Sequence, residues 1–248
     1  MRFSIIIPTY NEEGYIGRCL RSIAGQEFDR SEFEIILSDA QSTDATATLA
    51  GRYADKIVSA TQRGIAHGRN LGARPATGEI LLFVDADVTL QPDFLRRLDL
   101  AFRNDNIVAV TGRAVPADGG WFARVVYHGT YALVGLFNAF GLPLFPGLCV
   151  AYRSRIFVVA GGFREDFGVT EDLDLSRRLS LLGVCRYEPQ ARAFVSTRRL
   201  RKHGLSTVLF HIYHDLRYLL TGKSAGVYPK SEEITSAADL WRMNRTGK

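Results

Sequence analysis

The 248-residue chain has little cysteine: three residues, Cys19, Cys149 and Cys185, lie far apart in it. An odd number of isolated cysteines does not build a disulfide framework, and none of them has the paired spacing of a zinc site. The N-terminal apolar stretch is also short, since it breaks at Pro8, and a secretory signal needs a longer one. We therefore expect a cytoplasmic protein in a reducing compartment.

Several nucleotide-binding signatures are missing as well. The glycine-containing segment 64–72 lacks both the Gly-Lys-Ser/Thr ending of a P-loop and the dinucleotide fingerprint, which argues against an ATPase or a dehydrogenase. No zinc-finger spacing or RNA-binding aromatic signature is present, so nucleic acid is not an expected partner. The composition, 46% hydrophobic and 23% charged, is ordinary for a globular protein with a full core.

Positive charge is unevenly distributed along the chain. Residues 192–248 hold 11 Lys and Arg against 4 Asp and Glu, whereas residues 1–191 hold 20 against 22. The densest part, called the basic patch below, consists of Arg192, Arg198, Arg199, Arg201 and Lys202. Such a patch suits a diphosphate or an anionic membrane surface. The basic patch is therefore compatible with a lipid-linked acceptor and with a peripheral position on the cytoplasmic face of a membrane.

The first half of the chain alternates apolar runs with amphipathic stretches, which predicts an α/β fold with a mainly parallel sheet flanked by helices. The predicted strands are 3–7, 33–37, 57–59 and 80–84, and the predicted helices are 12–26, 43–53 and 67–74. Asn11 is the expected cap of the first helix, and Asp44 of the second. Ligands of such sheets bind beyond the carboxyl ends of the strands. The polar segments that follow the strands therefore meet at one edge.

Asp85 and Asp87 follow the fourth strand with only Ala86 between them. Two carboxylates at this spacing can share Mg²⁺ or Mn²⁺, hard cations that prefer oxygen ligands, and a pyrophosphate is the natural third partner. The other strand-end segments offer Thr9 and backbone N–H groups to a nucleotide, Asp39 to a base N–H group, and Arg69 to a phosphate. Arg198 and Arg199 are candidates for clamping the diphosphate.

The chain resembles a family 2 glycosyltransferase of the GT-A fold, an inverting enzyme, over about its first 190 residues. The resemblance rests on the order of Ile7–Glu13, Asp39 with Ser42–Asp44, Gly64–Asn70, Asp85–Asp87, Gly161–Phe163 and Thr170–Leu179. It implies base recognition by Asp39, ribose and metal binding by Asp85 and Asp87, and a catalytic base at Asp172 beside Glu171. His203 resembles a late histidine that contacts metal or diphosphate in some relatives. The segment Ser38–Ser42 departs from the family pattern, which leaves the choice between UDP and GDP open.

A second argument for Asp172 comes from its place in the chain. Leu175, Leu179 and Leu182 predict a buried helical face, so Glu171 and Asp172 occupy the first turn, where the helix dipole stabilises anions. The full predicted donor-binding set is Pro8, Thr9, Tyr10, Glu12, Asp39, Arg63, Arg69, Asn70, Asp85, Ala86, Asp87, Arg198 and Arg199, with metal ligands Asp85, Asp87 and His203.

These observations predict a catalytic domain over 1–200, with a nucleotide-sugar half (1–115) and an acceptor half (116–200), and a basic, aromatic helical extension over 201–248. The expected reaction is metal-dependent transfer of a hexose from a UDP- or GDP-sugar to an acceptor hydroxyl. Transfer to a polyprenyl phosphate, nucleotidyl transfer and a non-catalytic sugar-nucleotide-binding role are the alternatives. The segment 121–140 is either a core helix or an amphipathic helix against a membrane or acceptor. The oligomeric state is left open.

Overall fold

A computed structural model describes residues 1–224 as one eight-stranded sheet flanked by helices. The predicted extension is described as far as Ser224, and its part over 225–248 lies outside the described residues. The strands are β1 (Phe3–Thr9), β2 (Phe33–Asp39), β3 (Lys56–Ser59), β4 (Ile80–Val84), β5 (Val88–Leu90), β6 (Ile107–Pro116), β7 (Cys149–Arg153) and β8 (Val184–Val195). The α-helices are α1 (Glu13–Ala24), α2 (Thr46–Ala50), α3 (Ile65–Ala73), α4 (Phe94–Phe102), α5 (Gly120–Ala139), α6 (Ser154–Val159), α7 (Glu171–Ser180), α8 (Arg198–His203) and α9 (Leu205–Thr221).

The sheet has the strand order β3-β2-β1-β4-β7-β6-β8-β5. The first four strands in this order run parallel, as do β6 and β8, whereas β7 runs antiparallel to both of its neighbours and β5 antiparallel to β8. The prediction of a mainly parallel sheet flanked by helices is confirmed. Because β1, β2 and β4 are parallel, the segments after Thr9, Asp39 and Val84 emerge at the same edge.

Burial explains why the sequence predicts the strands of the first half of the chain. β1, β2 and β4 are buried along almost their whole length, as strands covered on both faces by helices must be. α1 packs on them through Ile16, Leu20 and Ile23, which recur at helical spacing. The predicted helix 43–53 is shorter in the structure, because α2 spans only Thr46–Ala50.

The predicted cap of α1 is wrong. Asn11 has a left-handed φ of 52° and its side chain accepts from the N–H of Thr43 at 2.9 Å. The N–H of Glu13 instead donates to Asp44 Oδ2 at 3.1 Å, and the N–H of Thr46 donates to Asp44 Oδ1 at 2.9 Å. One carboxylate therefore accepts hydrogen bonds from the first turns of two helices. The sequence around either helix alone does not predict this shared cap.

Glu34 is a buried carboxylate that ties three segments together. Its oxygens accept from Ser4 Oγ at 2.6 Å and from the N–H and hydroxyl of Thr77, both at 2.7 Å, and Lys56 Nζ lies at 2.6 Å. Burial alone would raise the pKa of Glu34, but these hydrogen bonds lower it to about 2. The ionised form is thus stabilised by folding.

We expect Glu34→Gln to lower the free energy of unfolding by about 3 kcal/mol near neutral pH, the linkage value of a pKa that falls from 4.5 to about 2. The contribution is present above pH 4.5 and is lost as the pH falls towards 2, so at about pH 3 less than half of the difference should remain. Denaturant titrations of both proteins at the two pH values measure it. The exposed neighbour Glu32, changed to Gln, is the control; a loss that is equal at both pH values would contradict the assignment.

The helices α5 and α9 lie outside this core for most of their surface. α5 buries Ala123, Tyr131 and Val134, while α9 buries Phe210, His214 and Tyr218. The segment predicted as a core or an amphipathic helix is therefore a helix with one narrow buried face. Along residues 1–224, no helix combines the length and the apolar character that crossing a membrane requires.

Candidate active site

The carboxyl ends of β1 and β2 hold the first group of predicted donor-binding residues. The strand register pairs Pro8 with Ser38 and Thr9 with Asp39. Asp39 is buried, and its carboxylate accepts from Thr9 Oγ1 at 3.2 Å, from Ser42 Oγ at 2.5 Å and from the N–H of Ser42 at 3.0 Å. These bonds fix the orientation of the carboxylate at the strand end. An oxygen pair of this kind retains lone pairs that an N–H donor of a base can use.

Tyr10 and Arg63 contact each other just beyond this strand end. Arg63 donates to the Tyr10 hydroxyl at 2.6 Å, and its guanidinium carbon lies 4.1 Å from the centroid of the tyrosine ring. Both belong to loops, Tyr10 directly after β1 and Arg63 shortly before α3. Flat aromatic and guanidinium groups are suited to stacking on a nucleobase.

Asp85, Ala86 and Asp87 follow β4 directly. Ala86 is buried, the side chain of Asp85 is 26% exposed and that of Asp87 is 14% exposed. Burial, opposed by Arg198 and reinforced by Asp85, raises the pKa of Asp87 to about 6. Because burial disfavours the ionised form of this carboxylate, a cation that binds next to it stabilises that form.

Arg198 connects the basic patch with this motif. Its Nη1 and Nη2 donate to the carboxylate of Glu12 at 2.8 and 2.5 Å, and its Nε lies 3.2 Å from Asp87 Oδ2. The guanidinium carbon also lies 4.5 Å from the centroid of the Tyr15 ring. The structure thus brings together three predicted residues, Glu12, Asp87 and Arg198, that are far apart in the sequence.

Arg69 lies under the other carboxylate of the motif. It is only 3% exposed, and its guanidinium donates to Glu171 Oε1 at 2.8 Å, to Asp85 Oδ1 at 3.1 Å and to the carbonyl of Gly147 at 2.8 Å. Burial, and after it the charge of Asp172, raises the pKa of Glu171, while Arg69 lowers it. Arg69 therefore holds two site carboxylates in place from beneath.

Asp172, the predicted base, lies in the first turn of α7 and is partly exposed. Its Oδ2 accepts from the N–H of Gly147 at 2.5 Å, and its Oδ1 accepts from the N–H of Leu173 at 2.8 Å. Both oxygens keep a lone pair for a further donor, so the carboxylate is oriented without being saturated. The N-terminus of α7 adds favourable electrostatics for a negative charge.

Other predicted residues have different surroundings. Both polar atoms of the Asn70 side chain bond the backbone of Phe163, at 2.8 and 2.9 Å, so Asn70 holds the loop before α7. Arg199 is exposed in α8, and its charge acts on Asp87. His203 ends α8 and is half-buried. Asp174 pairs with Arg178, at 2.7 Å.

Three site residues were not predicted from the sequence. Gly147 bridges Arg69 and Asp172 through its backbone, and a Cβ there would stand 2.8 Å from the Arg69 guanidinium and 3.0 Å from Asp172 Oδ2, so only glycine fits. Asp215 in α9 is partly buried; burial, with the charge of Asp172, raises its pKa to about 7. Burial, with the charge of Asp87, raises the pKa of Tyr127 in α5 to about 12.

Within residues 1–224, no group of three or more His, Cys, Asp and Glu side chains converges to enclose a metal. The predicted ligand His203 thus does not complete a protein-only site with Asp85 and Asp87 in the described chain. Two carboxylates are nevertheless the usual protein share of a Mg²⁺ or Mn²⁺ site whose other ligands are phosphate oxygens and waters. The partly buried Asp87, with its raised pKa, fits that role.

Carboxylates, arginines and the N-terminus of α7 meet at the carboxyl edge of a mainly parallel sheet, which is where α/β proteins of this class bind their ligands. A family model, Glycosyl transferase family 2, matches residues 4–159, and the chain belongs to this family. The predicted family resemblance is thereby confirmed. The match ends before α7, so it includes Asp85 and Asp87 but not Asp172.

Individual proteins agree with this assignment. Poly(ribitol-phosphate) beta-N-acetylglucosaminyltransferase TarS of Staphylococcus aureus is 35% identical over 130 residues, which cover 47% of this chain and 22% of that relative. The chain thus spans about a fifth of the length of this relative. The mannosyltransferase PcManGT of Pyrobaculum calidifontis, solved with GDP-Man and Mn²⁺, superposes with a TM-score of 0.73 at 25% identity and covers 90% of this chain and 65% of its own. Glucosyl-3-phosphoglycerate synthase of Mycobacterium tuberculosis superposes with a TM-score of 0.61 at 20% identity, covering 93% and 81%, and supports the GT-A fold.

Proposed function

We propose that the chain is a metal-dependent, inverting glycosyltransferase that moves a hexose from a UDP- or GDP-sugar to an acceptor hydroxyl. The observation that carries this proposal is a single chain of hydrogen bonds. It runs from Asp172 to the N–H of Gly147 at 2.5 Å, from the Gly147 carbonyl to Arg69 at 2.8 Å, and from Arg69 to Asp85 at 3.1 Å. The base and the metal motif are thus held in one rigid unit, as transfer between two bound substrates requires.

The chemistry follows from this arrangement. The acceptor hydroxyl donates its proton to Asp172 while its oxygen attacks the anomeric carbon of the donor. The bond between that carbon and the diphosphate oxygen breaks on the opposite face, which inverts the configuration. Arg198 and Arg199 are placed to balance the charge of the departing diphosphate. A divalent cation held by Asp85 and Asp87 supplies further electrostatic stabilisation of the diphosphate when bound.

The donor assignment is supported by the pocket of Asp39, Tyr10 and Arg63, which offers acceptors and a stacking surface to a base. PcManGT was solved with GDP-Man and Mn²⁺, and TarS has been solved with UDP-GlcNAc, so relatives of this fold take both bases. We propose that the same site binds one of the two here. Stabilisation by nucleotide sugars distinguishes a UDP-sugar donor from a GDP-sugar donor.

We expect thermal unfolding of the chain to shift upward with one class of nucleotide sugar when Mn²⁺ or Mg²⁺ is present. A ligand at about 100 times its Kd adds roughly 2.7 kcal/mol, or roughly 5 to 11 °C for a protein of this size. Asp85→Asn/Asp87→Asn should abolish the shift, whereas Asp105→Asn, which alters a carboxylate that is 99% exposed, should preserve it. The assignment would be refuted by a folded chain that no nucleotide sugar stabilises, or by a shift that is equal without metal.

A further inference from the structure

Two helices beside the site present apolar faces that the rest of residues 1–224 does not cover. Trp121 in α5 is 76% exposed, and Phe140, the first residue after α5, is 75% exposed. In α9, Leu220 is 84% exposed. These residues belong to a larger set of exposed apolar side chains, the α5–α9 surface, which also includes Phe122, Val125, Leu133, Leu136, Phe137, Leu142, Leu205, Leu209, Ile212, Tyr213, Leu216 and Leu219. Exposed apolar surface of this extent marks an interaction site.

The two helices begin close together and end close together. Just before α5, Asp118 accepts from the N–H of Thr197 at 2.8 Å and lies 3.4 Å from Arg201 of α8, the helix that leads into α9. At the other ends, Phe137 and Leu219 line one cavity of about 560 Å³. The two helices are therefore near each other at both ends. The charge of Asp87 acts on Tyr127 of α5, and the charge of Asp172 acts on Asp215 of α9.

Charge indicates what covers this surface. α5 contains no Asp or Glu, and residues 198–224 contain six Lys and Arg against one acid, Asp215. Four of the six belong to the basic patch, of which Arg198 is engaged by Glu12 and Asp87 in the site, and the other two are Arg217 and Lys223. A second copy of the chain would bring the same positive excess against itself, which disfavours a symmetric dimer. An anionic lipid surface complements both the apolar side chains and the positive charge.

We propose that the α5–α9 surface docks onto an anionic lipid bilayer and lies in its interfacial plane, beside the headgroups. Docking itself does not depend on the proposed activity. A second consequence concerns the acceptor and rests on the proposed glycosyltransferase function. If two membrane-bound helices flank the site, the acceptor hydroxyl belongs to an amphiphile in the same bilayer.

The test is co-sedimentation of the 248-residue chain with phosphatidylcholine vesicles that either contain or lack phosphatidylglycerol. We expect binding only to the anionic vesicles, and weakening at high salt because the Debye length shortens. Trp121→Ser/Phe140→Ser/Leu220→Ser should lower the partition coefficient by about tenfold or more, since each large apolar side chain contributes substantially when buried. The matched control is Leu100→Ser/Val158→Ser/Val159→Ser, which removes apolar side chains that are 49%, 71% and 71% exposed on α4 and α6, and it should bind like the parent.

Arg201→Gln/Lys202→Gln should also weaken binding to anionic vesicles by about tenfold, because each basic residue near such a surface contributes to attraction. Circular dichroism and thermal unfolding establish that each variant is folded. Docking is overturned if the parent does not bind, if the two triple variants bind alike, or if the chain sediments as a dimer that the first triple variant dissociates. Nucleotide-sugar stabilisation is measured without vesicles, so failure of docking and failure of the donor site are distinguishable.

Discussion

Asp172→Asn is expected to lower kcat by about 10² to 10⁴, the range that a positioned general base contributes. The substitution keeps the size of the side chain and removes its capacity to take the acceptor proton. Stabilisation by a nucleotide sugar and metal should be unchanged, because the contacts of Asp172 are with Gly147 and Leu173 rather than with Asp85, Asp87 or Asp39. The measurement is initial-rate kinetics together with donor-dependent thermal unfolding.

An amide has one acceptor oxygen where the carboxylate has two, so one of the two backbone N–H groups loses its partner in Asp172→Asn. We expect this to cost about 1 to 2 kcal/mol of stability, too little to unfold the protein. Asp166→Asn, at a side chain that is 64% exposed and paired only across its own loop with Arg164, is the matched control and should keep full activity. A rate loss far smaller than that of Asp87→Asn would contradict a hydroxyl acceptor. It would favour a polyprenyl phosphate, since such an acceptor is already an anion and needs no strong base.

The part of the site that the sequence predicts well is the part built by strand ends. β1, β2 and β4 are mainly apolar runs that stop at polar residues, so the sequence indicates both the strands and the segments after them. Parallel pairing then brings Thr9, Asp39 and Asp85 to one edge whatever the details of the helices. For this reason the sequence alone predicts a metal motif at Asp85 and Asp87.

The contacts that complete the site are not local, and the sequence does not reveal them. Gly147 contributes only backbone atoms, and the reason for its being glycine is the approach of Arg69, 78 residues earlier in the chain. Glu12 and Arg198 are 186 residues apart, and nothing in either segment indicates their pairing. Strand β8 escaped prediction because charged residues at its exposed positions interrupt the apolar run, even though Ala191, Ala193 and Val195 are buried.

The buried cation Arg69 also explains how two carboxylates remain close together inside the fold. Burial would lower the pKa of Arg69, but the charges of Asp85, Glu171 and Asp172 raise it, so the guanidinium stays charged. Burying one arginine among these acids offsets the repulsion between them. The proposed base and the proposed metal motif therefore contact or approach the same side chain, Arg69.

Arg69→Met is accordingly expected to lower the free energy of unfolding by about 3 kcal/mol. The value lies at the lower end for a broken buried ion pair, because Glu171 can take up a proton and Asp85 is partly exposed. The loss should grow with pH, since a higher pH makes protonation of Glu171 less favourable. Arg74→Met, at an exposed arginine that ends the same helix, should cost less than about 0.5 kcal/mol.

A double-mutant cycle separates the ion pair from simple loss of volume. If Arg69 stabilises the fold through Glu171, then Arg69→Met/Glu171→Gln should be more stable than the sum of the two single losses predicts, by about 1 to 3 kcal/mol. Denaturant titration of the four proteins at two pH values gives this coupling energy. Two results would contradict this role of Arg69: additive losses, or an effect of Arg69→Met no larger than that of Arg74→Met. Either result would show that Arg69 does not offset the repulsion between the carboxylates and does not link Asp172 to Asp85.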